Sequence, residues 1–212
     1  MKSYGIIIAL IIVVAPTFSF SQSGKWIWMK GDSTANAPAI YGTKGQADIN
    51  NTPGGRYEAA RWADLNGNFW LLGGSNAGAL TKNDLWQYDV NSNQWTWMSG
   101  DSVDASMGNY GIQGVPSINN APAARGYGVT TWTDLSGNLW LFGGGSPAAH
   151  LNDLWKYDPI SNEWTWMKGS PFSQYEYHYG TKGIPDPLNK PPSNYECPAS
   201  WMDNDGDLWL YH

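Results

Sequence analysis

Cysteine is nearly missing: Cys197 is the only one in 212 residues. No disulfide can form within the chain, so its fold must rest on a packed core. Basic residues are few as well, with 12 Lys and Arg against 18 Asp and Glu and a net charge of −6. Scattered cations in an acidic chain cannot replace the counterions of a phosphate backbone, which excludes nucleic acid as a partner. Only His150, His178 and His212 supply imidazole, and they fall at unlike places. No His-x-His or paired-carboxylate motif recurs, so the sequence predicts no catalytic residues, no metal ligands and no cofactor. Long apolar runs are absent except for Gly5 to Ala15, which is too short to span a bilayer. Behind Met1-Lys2 and ahead of Ser19-Phe20-Ser21, that run reads as the core of a signal peptide over residues 1–21, cleaved after Ser21. The mature chain is therefore expected to be secreted, on the cell surface or in the periplasm, with no membrane span after cleavage. A bacterial envelope protein fits best.

Aromatic residues are abundant: 14 Trp, 12 Tyr and 5 Phe supply the apolar area a core needs. They are also periodic. Trp26-Ile27-Trp28-Met29 returns as Trp95-Thr96-Trp97-Met98 and as Trp164-Thr165-Trp166-Met167, on a step of 69 residues. Tyr41-Gly42, Tyr110-Gly111 and Tyr179-Gly180 keep the same step. Within a unit, apolar and polar residues alternate over short runs bounded by turn residues, which predicts strands and no helix. The expected strands of the first unit are Tyr57 to Trp62, Asn68 to Leu72, Leu85 to Asp89 and Gln94 to Met98. Asn66-Gly67, Ser136-Gly137 and Asp205-Gly206 have the chemistry of tight hairpin turns between the first two strands. Each unit reads as a four-stranded meander.

A Gly-Gly doublet closing the second strand, followed by a Tyr and then a Trp, resembles the kelch repeat. The first copy has Gly73-Gly74, Tyr88 and Trp95, and the second has Gly143-Gly144, Tyr157 and Trp164. Arg56 and Arg125 match the arginine that opens the family's repeat, whereas Asn194 stands at that place in the third copy. The resemblance implies an all-β chain, a β-propeller of four-stranded kelch-like blades similar to the central domain of galactose oxidase, present only as an incomplete segment. Residues 22–52 would hold a closing outer strand at Trp26 to Met29 and a long inter-blade loop. Residues 53–121 form unit one, 122–190 unit two and 191–212 a truncated third unit. Open faces around Trp201 to Tyr211 would let such a truncated chain self-associate.

In a meander the links alternate between two sides of the disc. One side has short turns; the other has Ser75 to Asn83, Gly145 to Asn152 and the inter-blade segments from about Asp32 to Thr52, Asp101 to Ala121 and Ser170 to Lys190. Long loops on a rigid frame are where binding concentrates. Tyr41, Tyr110 and Tyr179 recur in every copy and are expected to pin each loop to its blade. Residues that differ among copies, Tyr175, Glu176, Tyr177 and His178, are the candidate ligand contacts. Arg56 and Arg125 are further candidates because inner-strand arginines can face a central ligand. Asp203 to Asp207 has the look of a calcium loop, but it aligns with Asp64 to Asn68 and Asp134 to Asn138, so a hairpin turn explains it. The lone thiol of Cys197 is expected to be core. These features predict an exported, non-catalytic binding or adhesion module for a protein or glycan partner. The alternative is one part of a propeller enzyme, carbohydrate-active or oxidase type, whose catalytic residues lie in other blades.

Overall fold

The computed structural model describes residues 26–146, 149–171, 177–193 and 198–211. Every regular element among them is a strand. The first blade contains β1 (Ala47–Asp48), β2 (Ala60–Ala63), β3 (Phe69–Leu72), β4 (Leu85–Asp89) and β5 (Gln94–Ser99), hydrogen-bonded in the order β1-β5-β4-β3-β2. The second contains β6 (Thr130–Thr133), β7 (Leu139–Ser146), β8 (Ala149–Asp158) and β9 (Glu163–Lys168) in that order. A hairpin of β10 (Ala199–Met202) and β11 (Leu208–Tyr211) follows. All pairings are antiparallel, as a meander demands.

The hairpin turns owe their shape to one aspartate in each copy. Asp134 Oδ1 accepts from the amides of Ser136 and Asn138, both at 2.9 Å, and Oδ2 accepts from Trp140 Nε1 at 2.7 Å. Asp64 and Asp203 repeat the pattern with Trp70 and Trp209. The third copy's carboxylate is thus spent on its own turn, as the hairpin reading of Asp203 to Asp207 requires. Burial pulls the Asp64 and Asp134 carboxyls upward, but these donors outweigh it and hold both below the usual carboxylate range.

Two sequence expectations need correction. The first strand opens at Ala60, not Tyr57, because Tyr57 pairs its backbone with Ser75 instead and Glu58 turns through a positive φ of 53°. Trp26 to Met29 is not a strand. Its equivalents in β5 and β9 lie against the preceding strand of their own blade, and no described residue offers Trp26 to Met29 such a neighbour.

The core lies between blades. The back face of blade one, with Ala60, Trp62, Trp70, Leu72 and Leu85, packs on the front face of blade two, with Leu139, Leu141, Trp155, Tyr157 and Trp164. Trp70 meets Tyr157 edge-on with ring centroids 5.5 Å apart. Trp62 Nε1 donates to Trp140 O at 2.8 Å, so even the polar edge of a core indole is satisfied across the interface. Blade two repeats the contact toward the hairpin, where Trp132 Nε1 donates to the carbonyls of Trp201 and Trp209.

Candidate functional site

The inner end of each blade is built around one buried carboxylate. Asp153 Oδ1 and Oδ2 accept from Arg125 NH1 and NH2 at 2.7 and 2.8 Å. Oδ2 accepts further from Trp155 Nε1 at 2.7 Å and from the Tyr110 hydroxyl at 2.6 Å. Arg125 Nε and NH1 also reach Ala123 O and Gly143 O, so every guanidinium nitrogen donates and the group is buried. Blade one repeats the centre with Arg56, Asp84, Trp86 and Tyr41. Arg56 also donates to Pro53 O and Gly73 O. Burial first, and the neighbouring carboxylate second, push the Tyr41 and Tyr110 hydroxyls well above the ordinary tyrosine range. Arg56 and Arg125 thus spend their forks within their own blades. The nearest acceptors of a buried fork are the carbonyls and the carboxylate of its own blade.

The Gly-Gly doublet belongs to this centre. Gly73 takes φ +65°, and a Cβ on it would lie 2.5 Å from Arg125 O and 2.7 Å from Lys82 O. Only glycine lets the two blades' backbones come this close. The amide of Gly74 uses the approach by donating to Arg125 O at 2.8 Å.

The long inter-blade segments differ from free loops. Residues 40–52, 109–121 and 178–190 each form a strap closed at its base by a reciprocal backbone pair: Ile40 with Thr52, Asn109 with Ala121, His178 with Lys190. The first two straps lie along the outermost strand of the following blade. Asp48 pairs with Trp95, Gly45 N donates to Trp97 O at 2.8 Å, and Gly114 N donates to Trp166 O at 2.8 Å. Asn51 and Asn120 Nδ2 fasten them to Trp95 O and Trp164 O, both at 2.9 Å. The extra length of the repeat thus covers a strand edge that would otherwise stay open. Tyr41 and Tyr110 pin their straps as expected. Tyr179 is exposed, and its ring lies 5.4 Å from that of Tyr177.

An open cleft lies at the loop end of blade one. The β3–β4 loop and the segment after β5 are tied together by Asp104, which pairs with Lys82 Nζ at 2.7 Å and accepts from Asn76 Nδ2 at 3.1 Å. Ala105 N donates to Thr81 O at 2.7 Å, and Asn83 Oδ1 accepts from Asp101 N at 3.0 Å. Beside this frame lies an open cleft of ≈ 490 Å³, lined by residues that include Pro38, Tyr41, Gly54, Asn76, Leu80 and Ser102. Leu80 lines it and is exposed, as are Val103 and Met107 in the segment after β5.

Of the contacts expected from sequence, Tyr177 and His178 are exposed at the base of the third strap, while Tyr175 and Glu176 lie outside the described residues, as do Asn194 and Cys197. The sequence reading singled out none of Asn76, Lys82 or Asp104. A signal was present, since Lys82 and Asp104 become Leu151 and Ser173 in the next copy. Among the described residues no three His, Cys, Asp or Glu converge as a metal site.

Compared with known proteins, residues 135–165 match the kelch motif, the stretch that holds Gly143-Gly144, Tyr157 and Trp164. No curated protein matches the sequence. Among 86 matching chains of solved structures, that of YjhT is 18% identical with a TM-score of 0.36, covering 58% of this chain. The match takes in 40% of the YjhT chain, so the chain described here spans well under two thirds of it.

Proposed function

We propose that this chain of kelch blades is an exported, non-catalytic binding module that holds a protein partner at the loop end of its first blade. The observation that carries the reading is the Asp104 clamp. It fixes two loops to each other through Lys82, Asn76 and the Ala105–Thr81 backbone bond while Leu80, Val103 and Met107 face water. Fixed loops lose little entropy when a partner docks, so the apolar area they offer converts efficiently into affinity. Apolar groups beside an ion pair suit a polypeptide, which brings both apolar and polar groups. The strongest polar groups, Arg56 with Asp84 and Arg125 with Asp153, are committed to the fold, which favours binding over chemistry at the blade ends. Residues 1–21 supply the export signal, so the partner is met outside the cytoplasm.

A random peptide library displayed on phage and a glycan array, probed with the exported chain, test the reading. Peptides enriched on the wild type and lost on a Leu80→Ser, Val103→Ser double variant of unchanged melting temperature are the expected result. Both positions are exposed, so the substitutions leave the core intact. Enrichment that survives the double variant would move the site elsewhere, and glycan binding without peptide binding would replace the protein partner by a sugar.

A further inference from the structure

The seam between blades one and two opens at its outer rim into a groove of ≈ 510 Å³. One wall is the end of β5 and the turn beyond it, Met98 to Asp101, with Lys44 and Gly45 of the first strap beside it. The other wall is the base of the second strap, Gly108, Asn109 and Ile118 to Ala121. Lys44 is anchored, because its Nζ lies 4.3 Å from the Trp97 ring centroid and donates to Gly100 O at 2.7 Å, yet two of its three N–H groups stay unspent. Asp101 Oδ2 accepts from Ser106 Oγ at 2.5 Å and from Asn83 Nδ2 at 3.3 Å, while Oδ1 takes no described donor. Asn109 gives its Nδ2 to Asn119 O at 2.9 Å and keeps its Oδ1. The Asn119 side chain is exposed, and no described residue bonds it. The repeat folds without this set. One step of 69 residues away, Asn109 is replaced by Ile40 and His178 and Asn119 by Asn50 and Leu188, and the straps still close through the same reciprocal backbone pairs. The place of Lys44 is taken in the second strap by Gln113, which donates to Met167 O at 2.9 Å. Among the described seams, this one alone brings Lys44, Asp101, Asn109 and Asn119 together.

We propose that this groove binds a neutral saccharide through Lys44, Asp101, Asn109 and Asn119. A sugar hydroxyl donates and accepts at once, so it asks for a donor and an acceptor side by side. The groove meets that demand with the Lys44 ammonium and the Asn119 amide as donors and with the spare oxygens of Asp101 and Asn109 as acceptors. Met98 and Ile118, the latter 63% exposed, offer apolar area to the C–H face of the ring. The charges of Lys44 and Asp101 offset each other, which selects against an anionic ligand. None of the lining residues is aromatic or arginine, the side chains that anchor polypeptides at interfaces. The volume falls within the range of small-molecule sites, roughly 300–1,000 Å³. This site lies on the rim between two blades and is independent of the protein partner proposed for the loop end of blade one.

The test is an array of neutral oligosaccharides, glucans, mannans, xylans and galactans, with sulfated and uronic acid oligosaccharides beside them, followed by calorimetric titration of whatever binds. Asn119→Leu and Lys44→Gln remove the polar contacts by substitutions that the sister straps already carry at Leu188 and Gln113, so both variants should fold with the melting temperature of the wild type. The wild type should bind at least one neutral series. Each variant should lose affinity at least about 10-fold, the worth of a missing hydrogen bond or two. The Leu80→Ser, Val103→Ser double variant should bind the same sugars unchanged, which separates this site from the loop-end one. Absence of neutral sugar binding, binding of acidic sugars alone, affinities unchanged by Asn119→Leu and Lys44→Gln, or loss in the loop-end double variant would each overturn the proposal.

Discussion

Arg125 shows how little of a residue's role is visible from its neighbours in sequence. Its identity and its match to Arg56 are plain, but the carboxylate that claims it lies 28 positions away, beyond any local pattern. Without that partner in view, an inner-strand arginine reads as a ligand contact. Once Asp153 is in place, removing the arginine leaves a buried charge uncompensated, so Arg125→Ala should cost about 3–5 kcal/mol, read from urea denaturation. No melting change would mean that the pair is dispensable. The turn aspartates give a pH prediction. The donors around Asp64 and Asp134 depress their folded pKa, so the unfolded chain takes up protons first as pH falls. Their contribution is complete above the unfolded carboxylate value of about 3.9 and is lost as pH drops through the lower folded values. The urea midpoint should fall more steeply below about pH 4 in the wild type than in an Asp134→Asn variant, which has already lost the effect at neutral pH.

At the scale of elements, legibility depended on where a strand finds its partner. β4 has the bounds that alternation of Leu85, Trp86, Gln87 and Tyr88 implies, since both its neighbours lie within one hairpin connection. The straps were not legible, because Asp48 pairs with Trp95 across most of a blade, and nothing within residues 40–52 announces an edge to cover. Trp26 to Met29 misled for the opposite reason. The same words that form a strand at Trp95 and Trp164 form none without a preceding strand to lie on. The strap's fastening can be tested at Asn120, whose buried side chain donates to Val115 O and Trp164 O. Asn120→Ala takes this donor from Val115 O and leaves Trp164 O with the Ser117 amide alone, and should cost about 1–3 kcal/mol. The amides of Gly114 and Ser117, which donate to β9, should then exchange hydrogen faster than those of β8, and equal protection in variant and wild type would count against a fastening role.

Across the whole molecule, position in the array decides what a repeated residue is worth. Trp95 and Trp164 read alike in sequence, yet Trp164 is 1% exposed beneath blade one while Trp95 lines an open cleft at the front of blade one. Trp164→Ala should therefore cost about 3–5 kcal/mol, and Trp95→Ala distinctly less, by differential scanning calorimetry of both. Equal losses would show that the inter-blade contact adds little. The proposed export makes its own prediction at this scale: mass spectrometry of secreted material should find Gln22 at the N-terminus, and recovery of Met1 in a membrane fraction would mark the segment as an anchor. The straps carry a last consequence, for heredity. The first two lie ahead of their blades in the gene yet hem those same blades' final strands, so residues 40–99 and 109–168 each carry the cover of their own outermost strand. A copying error that duplicates or deletes one such piece changes the number of blades without unravelling those that remain. Lineages carrying this gene can therefore vary in blade number by whole steps of 69 residues, and comparison of their lengths should show that spacing.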